Sequence, residues 1–290
     1  MSAEEIVGHE SERLASLAGT IELGGEVSVN RLGFGAMRLP GVRGQPKDPQ
    51  EGQRILRRAI ELGVNFIDTA HAYGPETSER LIAEALHPYP EDLIVATKSG
   101  YGRGGSGEWV RDGRPGTIRS QVERSLELLR LDRIDLLQLH VVDPAVPIEE
   151  SVGAFAELQG EGKVRMIGVS NVGVEELERA RAVGQIVSVQ NRYSLADRRS
   201  EDVLALCERA GIAFLPWFPL AAGALARAGE LEAVATAHGA TAAQVALAWL
   251  LQHSPVMLPI PGTSSIAHLE ENVAAAGVRL SEEEFGGLST

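Results

Sequence analysis

The sequence predicts one α/β domain of the (β/α)8 TIM-barrel class with an N-terminal β-hairpin. Short apolar runs of strand character alternate with amphipathic stretches along nearly the whole chain. Four chemistry-bearing residues close or closely follow such runs: Asp68 and Tyr73 in D-T-A-H-A-Y-G, Lys98 in I-V-A-T-K-S-G, and His140 in L-L-Q-L-H. A parallel barrel carries its chemistry at the carboxyl ends of its strands, where these residues would project. The length of 290 residues suits such a barrel, which needs about 250.

Residues 1–20 read as a mobile tail, and residues 21–290 as one barrel domain. The domain opens with I-E-L-G-G-E-V-S-V, whose Gly24-Gly25 pair suits a tight hairpin turn. Eight apolar runs follow: R-L-G-F-G, V-N-F-I-D, L-I-V-A-T, I-D-L-L-Q-L, M-I-G-V-S, V-S-V-Q, I-A-F-L-P and V-M-L-P-I. Between them, sets such as Val122, Leu126, Leu129 and Ile148, Val152, Phe155, Leu158 recur at helical spacing, each burying one face. Several of these segments start at Pro, Ser or Thr and end at Gly, as helices do. No Pro/Gly/Ser linker divides the chain, which favours one closed barrel over two domains. Two stretches break the rhythm, a Gly-rich loop from Ser99 to Gly116 and a small-residue loop from Leu220 to Gly229, both expected at the catalytic mouth.

Composition excludes several function classes. The net charge of −13 disfavours nucleic acid and anionic membranes as partners, since the long-range field repels polyanions. No apolar stretch approaches the roughly 18 residues of a membrane span, and the first residues lack the basic start and apolar core of a secretory signal, so a cytoplasmic location is expected. Cys207, the only cysteine, reads as a buried helix residue. The histidines show no H-E-x-x-H or paired ligand spacing, and no metal is expected. Gly100-Tyr101-Gly102-Arg103-Gly104-Gly105 matches G-x-G-x-x-G. A dinucleotide fingerprint must turn straight into a helix, however, and here Glu108 to Pro115 intervene.

The four leading residues suit carbonyl reduction. A proton must reach the developing alkoxide, and tyrosine, near pKa 10 when free, is a poor donor at neutral pH until a nearby cation favours its phenolate. Lys98 would supply that charge, Asp68 would hold Lys98 as an ion pair, and His140 would orient the carbonyl oxygen.

The motifs G-F-G-A-M-R, D-T-A-H-A-Y-G, the Lys98 strand, L-L-Q-L-H, I-G-V-S-N, V-Q-N-R-Y and I-P-G-T-S-S-x-x-H-L-E-E-N occur in the order seen in aldo-keto reductases, and residues 21 to 285 resemble that family. The runs G-A-M-R-L-P-G, F-P-L-A-A-G and the last motif resemble its bacterial pyridoxal reductase-like members most. The resemblance implies a barrel that binds NADPH, with NADH possible, in extended form. Asp68, Tyr73, Lys98 and His140 become the catalytic tetrad of an NADP-dependent carbonyl reductase. Gly35, Ala36, Met37 and Arg38 would flank the ring and ribose. Ser170, Asn171 and Gln190 would hold the carboxamide, and Trp217 would stack on the ring. Pro219, Leu220 and Gly223 would fold over the pyrophosphate. Ile260, Gly262, Thr263, Ser264, His268, Glu271 and Asn272 would serve the adenosine end. Many members carry Lys and Arg where this chain has Gly262 and His268, so NADPH preference is expected to be moderate, and Gly262→Lys to strengthen it. Hydroxyls and amides from Thr263 to Ser265 would receive the phosphate at a helix start.

The chain stops soon after Ser281-Glu282-Glu283-Glu284, so a wide pocket is expected, lined by Met37, Tyr101 and Trp109 and open to flat aromatic aldehydes, pyridoxal included. The rival reading is a non-catalytic, redox-sensing nicotinamide-binding subunit of a larger complex. The intact tetrad and the lack of an apolar docking tail weigh against it. The oligomeric state is not legible in one chain.

Overall fold

The computed structural model describes residues 11–41, 48–105, 107–220 and 228–289. Strands β1 (Thr20–Leu23) and β2 (Val27–Asn30) form the antiparallel hairpin, turning through Gly24, Gly25 and Glu26. Seven parallel strands make the main sheet: β3 (Phe34–Gly35), β4 (Phe66–Asp68), β5 (Ile94–Ser99), β8 (Ile134–Leu139), β9 (Val164–Ser170), β10 (Ile186–Arg192) and β11 (Ala213–Trp217). They neighbour one another in that order. Between β5 and β8 a small antiparallel pair intrudes, β6 (Tyr101–Arg103) and β7 (Trp109–Arg111).

The eighth run, V-M-L-P-I, closes the circle without being a regular strand. Val256 O and Leu258 N bond to Phe214 N and O at 2.8 and 2.9 Å, while Gly33 N and Gly35 N donate to Pro259 O and Pro261 O at 2.9 and 3.4 Å. Pro259 and Pro261 have no N–H to give, so one side of the segment only accepts.

Helices cover the outside: α1 (Pro49–Glu61), α2 (Thr77–Leu86), α3 (Pro115–Leu129), α4 (Ile148–Gly160), α5 (Val174–Arg181), α6 (Glu201–Ala210), α7 (Ala228–His238), α8 (Ala242–His253), α9 (Ile266–Ala274) and α10 (Glu282–Ser289). Three of their starts follow clear local signals. Asp48 caps α1 by accepting from Gln50 N ahead of Pro49, Pro115 opens α3, and Thr241 with Gln244 forms a capping box on α8. Val122, Leu126, Phe155 and Leu158 pack with Ile134, Leu137 and Ile167 of the sheet between the two layers. Cys207 lies there too, on α6, and burial pushes its thiol up to about 12, which leaves it inert.

Inside the barrel, Phe66, Ile94, Leu136, Met166, Leu215 and Leu258 meet Leu23 and Val29 of the hairpin. The hairpin therefore plugs the amino-terminal end of the barrel, and chemistry is left to the other end. The mobile tail expected over residues 1–20 does not extend to residues 11–20, and residues 1–10 lie outside the described residues. Ser11–Ala18 form a 3-10 helix, because Ala15 is fully buried with its N–H on Leu62 O, and Arg279 donates to Leu17 O at 2.6 Å. The stretch from Ser99 to Gly116, expected as a loop, contains the β6–β7 hairpin, which Tyr101 and Trp109 hold together by stacking at 4.7 Å.

Candidate active site

Asp68 ends β4, Lys98 is next to last in β5, and His140 follows β8, so all three side chains open at the carboxyl end of the barrel. Tyr73 lies in the turn after β4, tied back by its N–H on Ala70 O. Helix α2 holds the two strands from behind. Thr69 and Thr97, each adjacent to a site residue and pointing the opposite way, bond to Ser78 Oγ at 2.8 Å and to Glu79 Oε1 at 2.6 Å. Burial keeps the Glu79 carboxyl above its ordinary value, while the Thr97 hydroxyl it accepts from limits the rise.

The four side chains meet as the sequence predicts. Lys98 Nζ donates to Asp68 Oδ2 at 2.6 Å, to Thr69 O at 2.9 Å and to Tyr73 Oη at 3.3 Å. Asp68 and Lys98 are 2% and 1% exposed, so water screens this pair very little. For Lys98 burial opposes the charge, but Asp68 and the Tyr73 oxygen outweigh it and hold the ammonium above its usual value. For Tyr73 the expectation of a lowered pKa is overturned: burial raises the phenol, and Lys98 only limits the rise. The phenol is thus a protonated donor at neutral pH. Burial, then Lys98, holds the His140 imidazole far below the usual histidine range, so it is neutral. Its ring stands edge-on to Tyr73 at 5.6 Å, and its buried Nδ1 has no partner among the described residues.

Two glutamines complete Asp68. Gln190 Nε2 and Gln138 Nε2 donate to Oδ1 at 2.8 and 3.1 Å. Gln190 stands among the expected carboxamide contacts, yet here it also supports the acid. Gln138 is a residue that sequence reasoning missed, although it lies inside L-L-Q-L-H, two positions before His140 and so on the same strand face.

Around this centre stand further expected cofactor residues. Ser170 Oγ donates to Gln190 O at 2.6 Å. Asn171, in the left-handed region at φ 59° that Asn tolerates better than most residues, donates to His140 O at 3.0 Å and accepts from Trp217 Nε1 at 3.0 Å. That bond fixes the indole of Trp217 at the end of β11 as a flat face beside the site. Gly35 and Gly262 touch backbone to backbone, and a Cβ on Gly262 would sit 2.5 Å from Gly35 O. Thr263 and Asn272 are buried, Ser264 and His268 are exposed, and Glu271 accepts from Thr241 Oγ1 on α8 at 2.6 Å. Helix α9 starts behind Ser265, whose side chain makes no capping bond, so its first amides are open to an anion. Met37 is 61% exposed at the rim, with Ala36 buried and Arg38 exposed beside it, Pro219 and Leu220 follow β11, and Gly223 lies outside the described residues.

The close approach of Gly35 and Gly262 overturns the expectation that Gly262→Lys tightens NADPH. Any side chain at 262 must push one backbone off the other. The substitution is expected to lower the thermal midpoint and to weaken NADPH, as melting and fluorescence titration would show; an unchanged midpoint with tighter NADPH would refute this. The aromatic lining also differs from expectation. Trp109, 38% exposed, has Tyr101 stacked on its ring at 4.7 Å and the Arg103 guanidinium 3.5 Å from its centre, so much of its ring is engaged within the β6–β7 hairpin and not turned wholly to a substrate. Tyr101 and Trp109 instead brace His140, at 5.1 and 6.2 Å.

Residues 31–289 match the model of the Aldo/keto reductase family. The chain belongs to that family. An uncharacterized oxidoreductase of Schizosaccharomyces pombe is 50% identical over 277 residues, 94% of this aldo-keto reductase and 90% of the relative. Pyridoxine 4-dehydrogenase of Escherichia coli is 45% identical over 272 residues, 91% and 95% of the two chains. Among solved structures, an aldo/keto reductase from Klebsiella pneumoniae in complex with NADP and acetate superposes with a TM-score of 0.81 at 28% identity, covering 93% of each chain. No single helix among the described residues of this aldo-keto reductase is long and apolar enough to cross a membrane.

Proposed function

We propose that this aldo-keto reductase reduces aldehydes and ketones to alcohols with NADPH, reversibly, with Tyr73 as the general acid. The observation that carries the reading is the buried chain Asp68, Lys98, Tyr73 at the barrel mouth beside a neutral His140. Bound NADPH would supply the hydride. Tyr73 Oη gives its proton to the carbonyl oxygen, and Lys98, fixed by Asp68, stabilises the phenolate that remains. His140, uncharged, orients that oxygen without competing for the proton. In alcohol oxidation the phenolate takes the proton back.

The residues fit the cofactor. The flat indole of Trp217 suits the nicotinamide ring. Ser170, Asn171 and Gln190 suit its carboxamide, and the open amides of α9 suit a phosphate. The relative in Klebsiella pneumoniae holds NADP. With no lysine at 262, we expect NADPH to be preferred over NADH by a moderate factor.

The substrate class is flat aromatic aldehydes, pyridoxal among them. The exposed apolar side chains Met37 and Phe218 sit at strand ends on the open face, and the Escherichia coli relative is named for a vitamin B6 alcohol. NADPH oxidation should be measured with pyridoxal, 4-nitrobenzaldehyde, xylose and glucose. The aromatic aldehydes are expected to give the higher kcat/KM. Faster turnover of either sugar would reject the substrate class, and binding of NADPH with no turnover of any aldehyde or ketone would reject the enzymatic reading in favour of a nicotinamide-binding sensor.

A further inference from the structure

We infer that Gln138 is a positioning residue for carbonyl reduction, its side-chain amide fixing Asp68 in the orientation that holds Lys98 against Tyr73. The inference rests on the function proposed above. A fully buried glutamine is costly unless its amide is paired at both ends, and an apolar side chain would fill the same space more cheaply. Here both ends are paired. Nε2 donates to Asp68 Oδ1 at 3.1 Å, and Oε1 accepts from Ser188 Oγ at 3.4 Å. A carboxylate only accepts, so the amide nitrogen must face Asp68, and the Ser188 hydroxyl holds it there.

The barrel register builds this row. Lys98 pairs with Gln138 across β5 and β8, Gln138 with Gly168 across β8 and β9, and Gly168 with Ser188 across β9 and β10. A Cβ on Gly168 would lie 2.1 Å from Ser188 Oγ and 3.0 Å from Gln138 Cγ. The glycine thus leaves the gap through which serine and glutamine meet. Polar contact then runs without a break from Ser188 through Gln138, Asp68 and Lys98 to Tyr73 Oη.

The two glutamines on Asp68 have different duties. Gln190 also faces the place expected for the nicotinamide carboxamide, and its amide must be shared once cofactor is bound. Gln138 is fully buried, and its amide nitrogen donates to Asp68. Its dipole offsets part of the carboxylate charge. Without it, the field of Asp68 on the phenol grows, Tyr73 holds its proton more tightly, and proton transfer slows.

The test measures kcat, KM, NADPH affinity and the pH dependence of kcat with an aromatic aldehyde for the wild-type protein, Gln138→Met, Gln138→Glu and Ser188→Ala. Methionine keeps the length and removes the donor. It should lower kcat about tenfold, the loss expected for one hydrogen bond to a charged group, with NADPH affinity nearly unchanged and the alkaline limb of the profile moved upward. Glutamate should be more damaging at neutral pH and should recover as pH falls, because the protonated acid can again donate to Asp68. Ser188→Ala should show the methionine pattern in weaker form, and it decides the question should a Gln138 variant fail to fold. Wild-type kcat and profile in every folded variant would overturn the inference, and so would a kcat loss matched by an equal loss of NADPH affinity. Absence of turnover in the wild-type protein would instead reject the proposed function.

Discussion

Tyr73→Phe is expected to lower kcat for aldehyde reduction by about 10²–10⁴-fold, the usual worth of general acid catalysis, while NADPH binds as before. The substitution deletes one oxygen. That oxygen is a protonated phenol kept so by burial, 3.3 Å from the Lys98 ammonium. The remaining ring keeps its edge-on contact with His140, so the pocket keeps its shape. Single-turnover rates with bound NADPH and a cofactor titration separate the two effects. Near-normal turnover by the phenylalanine variant would mean that the proton comes from elsewhere, and the mechanism would fall.

Lys98→Met should damage both folding and catalysis. Asp68 would keep its two glutamine donors but lose its cation at 2.6 Å, in a site nearly closed to water. Breaking one side of a buried ion pair costs about 3–5 kcal/mol, a large share of the roughly 5–15 kcal/mol that holds a typical domain folded. Turnover should fall further than in Tyr73→Phe, because the phenolate left after proton transfer has nothing to stabilise it. The double variant Asp68→Asn with Lys98→Met removes both charges. It should regain much of the lost melting temperature and none of the activity, a non-additivity that marks direct coupling. Equal melting temperatures for wild type and Lys98→Met would show that the pair does not carry the stability assigned to it.

Local sequence determined which residues could do chemistry and at which end of the barrel they would stand. Asp68, Lys98 and His140 each close or follow an apolar run, and in a parallel barrel that position alone places them at the mouth. The helix starts at Pro49, Pro115 and Thr241 were equally legible, because capping depends on neighbours within one turn. The order of motifs pointed to the aldo-keto reductase family for the same reason: each motif is a contiguous run.

What only the tertiary structure decided involves partners far apart in the chain. Gln138 meets Asp68 from 70 residues away, through the register of three parallel strands, β4, β5 and β8, and no local pattern announces that pairing. Gly262 reads as a vacant place for a lysine until the closing segment brings it against Gly35, where backbone leaves no room for a side chain. Trp109 reads as a free aromatic surface until the β6–β7 hairpin lays Tyr101 and Arg103 over its ring. Even the direction of the Tyr73 shift turned on burial, a property of the assembled barrel. Residue type and period are written within a few positions, whereas burial and the pairing of donors with acceptors arise only when the barrel closes.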